Sequence, residues 1–378
     1  MTKIVVLGAG LVGAPIAFDL AINKDFEISI VDINKNNLQK FENSSINTFC
    51  KDLSNTETVK EIVADSDFVV SAVPGFMGFK TIEAIIESKK NVVDIAFFPE
   101  DPFTLDELAK KNNVVAICDC GVAPGMSNIL VGHADSLLDK TENVEIYVGG
   151  LPLIRTQPFE YKAVFSPIDV IEEYTRPARL IENYQIVVKP ALSESELIDF
   201  PQIGTLEAFN SDGLRSLAYT IEGKNMKEKT LRYPGHLQKM KLFRDTGFFD
   251  KDEIEINGIK ISPLDFTAKI LFPKWKLEKN EHDITIMKVK VEGYKNNKFV
   301  SYNYNLFDTY NTETKTHSMA RTTGYTASSA IRMLVNNIYS KTGISVPEFI
   351  GKDQKCYDFI IEELANKGIN YIENITNS

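Results

Sequence analysis

Tryptophan occurs once in the 378 residues, and cysteine and histidine four times each. Cys50, Cys118, Cys120 and Cys356 form no Cys-x-x-Cys pair, which argues against a disulfide scaffold or a thiolate zinc site and for reduced packing thiols. His133, His236, His282 and His317 do not fall at metal-ligand spacing with one another or with a carboxylate, so no metal is expected. Long apolar runs are missing too, none approaching the roughly 20 residues that cross a bilayer. Positive charge is in deficit, with 42 Lys and Arg against 52 Asp and Glu and a formal net charge of -10. That balance disfavours a nucleic-acid backbone or an anionic membrane as partner. The first apolar run starts at Lys3, leaving no room for a signal peptide, which predicts a cytoplasmic protein.

What is present is length enough for two cored domains and a glycine string near the start, Gly8-Ala9-Gly10-Leu11-Val12-Gly13. It follows the strand-like Ile4-Val5-Val6-Leu7 and opens a helix-like stretch, the context that makes such a string a dinucleotide fingerprint. Gly8 suits the tight turn, Gly10 the approach of a pyrophosphate to bare backbone, and Gly13 the packing of helix on strand. The helix N-terminus then presents N–H groups and a positive dipole end to phosphates. A second apolar run ends at Asp32, followed by Ile33, about where the fingerprint places a ribose-binding carboxylate. A carboxylate there accepts the ribose hydroxyls of NAD and repels the 2′-phosphate of NADP, so NAD is expected over NADP, with Lys35 as counter-evidence. The plainer role for Asp32 is to cap the next turn.

Up to about Cys120, short apolar runs alternate with amphipathic segments, the pattern of a parallel sheet with crossover helices. Strands are expected at 4–7, 27–31, 46–49, 68–72, 92–95 and 114–118, with helices at 56–63, 80–87 and 105–111. After Gly125 the rhythm becomes α+β, with strands expected at 144–148, 161–165 and 185–189 and a hairpin of 284–291 with 299–307 around a polar turn. Helices are expected at 326–339 and 357–366. The fold class is therefore α/β: a Rossmann doubly wound sheet (1–126 and 318–378) with an inserted α+β substrate and dimerisation domain (127–317) and C-terminal helices returning to the first domain.

Several motifs in order resemble the saccharopine dehydrogenase family, and within it the lysine 6-dehydrogenase branch. They are the glycine string, Asp119-Cys120-Gly121-Val122-Ala123-Pro124-Gly125-Met126, Tyr147-Val148-Gly149-Gly150-Leu151-Pro152 and Gly204-Thr205-Leu206-Glu207-Ala208-Phe209-Asn210. Thr230-Leu231-Arg232-Tyr233-Pro234-Gly235-His236 and Met319-Ala320-Arg321-Thr322-Thr323-Gly324-Tyr325 complete the set. The resemblance implies a homodimer that oxidises an amino-acid amine with a nicotinamide cofactor. The segment Asp94-Ile95-Ala96-Phe97-Phe98-Pro99-Glu100-Asp101 departs from the glycine- and histidine-containing stretch expected of lysine 6-dehydrogenases.

Ser71, Ala72, Val73 and Pro74 follow the fourth strand, on the carboxyl edge where open α/β sheets bind ligands, and Gly121 and Val122 follow the sixth. All are assigned to the cofactor, with a plain turn as the alternative for the first group. Asp94 ends the fifth strand and is the leading catalytic candidate, a base for the ammonium proton or a partner that holds the ammonium. Tyr161 and Lys162 form an alternative, a desolvated Lys162 acting as base. Arg215 and Arg232 suit the substrate carboxylate through two-pronged guanidinium geometry, or else form ion pairs. Asn210 and His236 join the substrate set through their motifs. The expected reaction is NAD-dependent oxidation of the side-chain amine of a basic amino acid, L-lysine foremost, to the 6-semialdehyde with release of ammonia. Saccharopine cleavage, or carboxynorspermidine-type reductive condensation of aldehyde and amine, is the alternative within the class. A non-catalytic dinucleotide sensor is the alternative outside it.

Overall fold

The computed structural model describes residues 1–278 and 281–377. Two compact units divide the chain, Met1–Ser136 with Ala320–Asn370, and Leu137–Met319 with the terminal strand Tyr371–Asn377. In the first unit, β1 (Thr2–Leu7), β2 (Phe26–Asp32), β3 (Asn47–Cys50), β4 (Phe68–Ser71), β5 (Asn91–Asp94) and β6 (Val115–Ile117) are all parallel. Their order is β6-β5-β4-β1-β2-β3, with Gly343–Ser345 as a seventh parallel strand beside β6. Strands run outward from β1 in both directions, so the sheet is doubly wound and the carboxyl ends of β1 and β4 flank the switch point. Ile4, Val6, Leu7, Ile30, Val69, Val70, Val92 and Val93 are wholly buried, as parallel strands covered on both faces must be.

The six expected strands and the helix Thr56–Val63 are present. Another helix runs Gly75–Glu87, starting before the expected position 80, because Gly75 and Gly78 belong inside it. A Cβ on Gly78 would lie 2.7 Å from Ala96 and Phe98, so glycine there permits close packing and does not mark a break. The strand Gly343–Ser345 has only three residues, too few to show a periodicity.

The second unit is built on a mixed sheet. Lys140–Pro152 pairs antiparallel with Asp283–Lys295 and parallel with Asn225–Arg232. Gly204–Asn210 and Glu196–Phe200 extend one side, and Lys298–Thr309 the other. The expected hairpin is present and longer, closing through Asn296 and Asn297, whose φ of 53° and 60° suit a two-residue turn. Two expectations need correction. Residues 161–165 form no strand, only a single bridge from Ala163 to Lys276, because Tyr161 is buried through its ring in an aromatic cluster. The end of the chain does not stay with the first unit. Tyr371–Asn377 is a mostly exposed strand that pairs with the open edge of Lys298–Thr309.

Asp283 sets the start of the helix Ser318–Val335, well before the expected position 326, by accepting the N–H groups of Ser318 and Met319 at 2.7 and 2.9 Å. Within the first unit, that helix is tied to the helix Gly13–Leu20. Arg332 donates to the Asp19 carboxylate at 2.6 Å and its carbonyl at 2.8 Å, with both residues buried. Arg332→Met leaves the carboxylate with Lys367, at 3.3 Å, as its remaining cation. A loss of about 3 kcal/mol is expected in urea unfolding, partly recovered by adding Asp19→Leu. No recovery in the double variant would show that the uncompensated charge is not the cause.

Candidate functional site

The chain leaves β1 through Gly8, whose φ of 102° places it in the left-handed region. A Cβ there would stand 2.4 Å from the Ala72 carbonyl oxygen, and one on Gly13 would stand 2.0 Å from that of Gly8. Gly10 differs, since nothing lies within 4 Å of the position its Cβ would take. Two glycines thus pack backbone on backbone while the middle one exposes bare backbone, which fits a dinucleotide pyrophosphate. No side chain caps the helix Gly13–Leu20 at Val12, so its N-terminus is available to phosphate. Asp32 closes the loop from the side. One carboxylate oxygen accepts the Ala9 N–H at 2.8 Å and the other the Asn34 N–H at 2.7 Å. Leu11 and Ile33 are large apolar side chains left exposed beside this loop and Asp32.

The turn Ser71–Pro74 lies against the same loop, since the Ala72 N–H donates to the Leu7 carbonyl at 2.9 Å. The Ser71 hydroxyl is buried with no hydrogen-bond partner among the described residues. Directly across the ladder from Ser71 is Asp94, the last residue of β5, with no exposed surface. Its carboxylate accepts the Ala96 N–H at 3.0 Å, and its carbonyl accepts the Cys120 N–H at 2.8 Å. Burial, with the charges of Asp94 and Asp119, pushes the Cys120 thiol up to about 12, so it stays protonated. The next turn needs glycine at 125, because Gly125 has φ 134° and a Cβ there would stand 2.0 Å from the Gly121 carbonyl oxygen. The first unit therefore assembles Gly8–Gly13, Asp32, Ser71–Pro74, Asp94 and Gly121–Val122 along one sheet edge.

In the second unit, Arg232 is buried and engaged on three sides. It donates to Glu173 at 2.5 Å, to the Tyr174 hydroxyl at 3.2 Å and to the Leu231 carbonyl at 3.0 Å, and lies 4.6 Å from the Tyr161 ring centre. Tyr174 donates onward to His236 Nε2 at 3.0 Å, because His236 Nδ1 must carry the proton given to the Phe159 carbonyl at 2.9 Å. Burial first, then the Arg232 charge, pulls His236 down to about 3, so it is neutral at physiological pH. Tyr161 packs at 5.0 Å from the His236 ring and 5.6 Å from Trp275. Lys162 donates to the Lys276 carbonyl at 3.1 Å and pairs with Glu281 at 3.3 Å.

Arg215 is buried, with φ 51° in the left-handed region, a strain that non-glycine residues carry at constrained sites. Its charge opposes that of Arg176, and Arg179 grips Asp212 with two bonds of 2.8 Å. Arg176 and Arg179 were missed, though both stand in the run Thr175-Arg176-Pro177-Ala178-Arg179. Asn210 donates to Ser193 at 3.1 Å and Glu194 at 3.0 Å. Glu228 feels the charges of both Glu173 and Asp212. Burial chiefly, with those charges, pushes its carboxyl up to about 8, while Ser211 donates to it at 2.6 Å. Among the described residues, no group of three or more His, Cys, Asp or Glu is disposed to hold a metal ion.

The raised Glu228 carboxyl carries a sign. Between the ordinary glutamate value of 4.5 and about 8 the unfolded chain releases this proton and the folded chain keeps it, so this group makes stability fall as pH rises. Glu228→Gln is expected to remove a slope of up to about 1.4 kcal/mol per pH unit across that window. Unfolding free energies of both proteins at pH 6 and 8 check it, and an unchanged slope would contradict it.

Two family descriptions match this chain, the saccharopine dehydrogenase NADP binding domain over residues 4–117 and the saccharopine dehydrogenase C-terminal domain over 121–369. Mouse mitochondrial alpha-aminoadipic semialdehyde synthase is 25% identical over 278 residues, 69% of this chain but 30% of that larger protein. Saccharopine dehydrogenase [NADP(+), L-glutamate-forming] of Schizosaccharomyces pombe is 22% identical over 99% of each chain. The solved apo saccharopine dehydrogenase (L-Glu forming) of Saccharomyces cerevisiae superposes with a TM-score of 0.82 at 19% identity, covering 100% of both chains. With the two family descriptions spanning both units, this chain belongs to the saccharopine dehydrogenase family.

Proposed function

We propose that the protein is a nicotinamide-dinucleotide-dependent oxidoreductase acting at the carbon–nitrogen bond of an amino-acid amine, with a saccharopine-type secondary amine as donor. The observation that carries this reading is the buried carboxylate of Asp94, on the same sheet edge as a glycine cradle open at Gly10. A bound nicotinamide dinucleotide supplies the hydride acceptor for oxidation, or the donor in reverse. The chain supplies the rest. Helix Gly13–Leu20 and the glycine loop hold the pyrophosphate, and Asp32 the adenosine ribose. Asp94 takes the proton of the substrate ammonium, leaving the nitrogen lone pair free to form the imine as hydride departs. Water then adds to the imine, and the aldehyde and amine separate. The buried arginines of the second unit suit a donor with more than one carboxylate.

Oxidation of L-lysine with release of ammonia is the competing reading, supported by the motif resemblance and opposed by the segment that begins at Asp94. The Synechocystis relative, 22% identical over 91% of this chain, is a carboxyaminopropylagmatine dehydrogenase, which keeps substituted amines in the test panel. Purified protein is to be mixed with NAD or NADP and saccharopine, lysine, ornithine or diamines, following reduced cofactor and the second product. Turnover of saccharopine with an amino acid released is expected. Ammonia released from lysine alone selects the competing reading, and no turnover with any donor contradicts both. Asp94→Asn is expected to lower kcat by about 100-fold or more.

A further inference from the structure

The alanine inside the glycine string is held at both ends by charge. Asp32 takes the Ala9 N–H at 2.8 Å, and the Lys40 ammonium donates to the Ala9 carbonyl at 3.1 Å. Lys40 lies in the short 3-10 turn Gln39–Phe41 that follows β2. That turn is fixed in place, because Phe41 is buried and stacks at 4.7 Å on Phe18 of the helix Gly13–Leu20. The backbone that carries Lys40 is therefore fixed beside the cradle, and from it the exposed Lys40 side chain reaches back to the Ala9 carbonyl.

Asp32 is also less available than its position suggests. Its two oxygens accept N–H groups from Ala9 and Asn34 and, at 3.3 Å, from the Asn37 side chain. A carboxylate offers about four acceptor positions, so most of this one organises its own loop. Desolvation lowers the Lys40 ammonium from its ordinary value, and the Asp32 charge opposes that shift. A carboxylate with an adjacent cation does not repel a phosphate as an isolated one does.

We propose that Lys40 is the residue that admits the 2′-phosphate of NADP to this cradle, so that dinucleotide choice is set by Lys40 and not by Asp32 alone. The proposal rests on the dinucleotide reading above and adds to it a determinant outside the glycine string and the β2 carboxylate. A guanidinium or ammonium beside the adenosine ribose is the group that balances the extra phosphate, and among the described residues it is Lys40 whose ammonium is hydrogen-bonded to the glycine string.

The test is titration of NADPH and NADH by cofactor fluorescence, at two ionic strengths, into the wild-type protein, Lys40→Met and Lys40→Arg. Lys40→Met is expected to weaken NADPH by about tenfold more than NADH, the loss of one charge-assisted contact. Lys40→Arg keeps most NADPH affinity, and the NADPH advantage of wild type over Lys40→Met shrinks at high salt. Equal weakening of both cofactors by Lys40→Met would mean that Lys40 only braces Ala9, and overturns the proposal. Wild-type protein that binds NADH and rejects NADPH overturns it as well. Binding of neither cofactor overturns the dinucleotide reading on which it rests.

Discussion

The cofactor end of this chain depends on one close approach, Gly13 over the carbonyl of Gly8, with Gly8 in turn against the carbonyl of Ala72. Any side chain at Gly8 or Gly13 would push the first helix away from β1 and β4, and the exposed backbone at Gly10 would lose its setting. The neighbouring pieces are arranged around that contact. Asp32 and Lys40 bond Ala9 at its two ends, Phe41 anchors the turn that carries Lys40, and Arg332 holds the other end of the first helix through Asp19. A local fingerprint of six residues is therefore held by side chains far along the sequence.

The first unit was largely legible in the sequence because parallel strands buried on both faces read as uninterrupted apolar runs, and glycines in the β1 turn have a steric reason to be there. What escaped was short or built by distant partners. Gly343–Ser345 is too brief to carry a pattern, and helix 318–335 starts where Asp283 dictates, a residue that no local signal links to it. Tyr371–Asn377 carries no strand expectation in the sequence and becomes a strand only because Lys298–Thr309 offers an open edge.

Site residues were legible by position and less so by role. Asp94, Asp32 and the glycine turns fall on one sheet edge because topology puts every βα turn of a doubly wound sheet there. In the second unit the candidate residues are engaged by the protein's own groups. Lys162 is paired, His236 is a neutral link between Tyr174 and Phe159, and Arg232 is held by Glu173 in an aromatic nest. Arg176 and Arg179 acquire meaning only once the fold brings them to Arg215 and Asp212. Buried charges are costly to desolvate, and the guanidinium groups here are met by carboxylates of the same unit, Arg232 by Glu173 and Arg179 by Asp212.

The most direct test of a carbon–nitrogen oxidoreductase is to follow the hydrogen itself. Saccharopine deuterated on the carbons flanking its secondary nitrogen would be incubated with the protein and oxidised dinucleotide, and the reduced dinucleotide recovered for mass spectrometry. A reduced dinucleotide heavier by one deuterium is expected, since the hydride must come from a carbon bonded to nitrogen. Reduced dinucleotide without the label would contradict oxidation at the carbon–nitrogen bond, and none formed would contradict the assignment of a saccharopine-type donor.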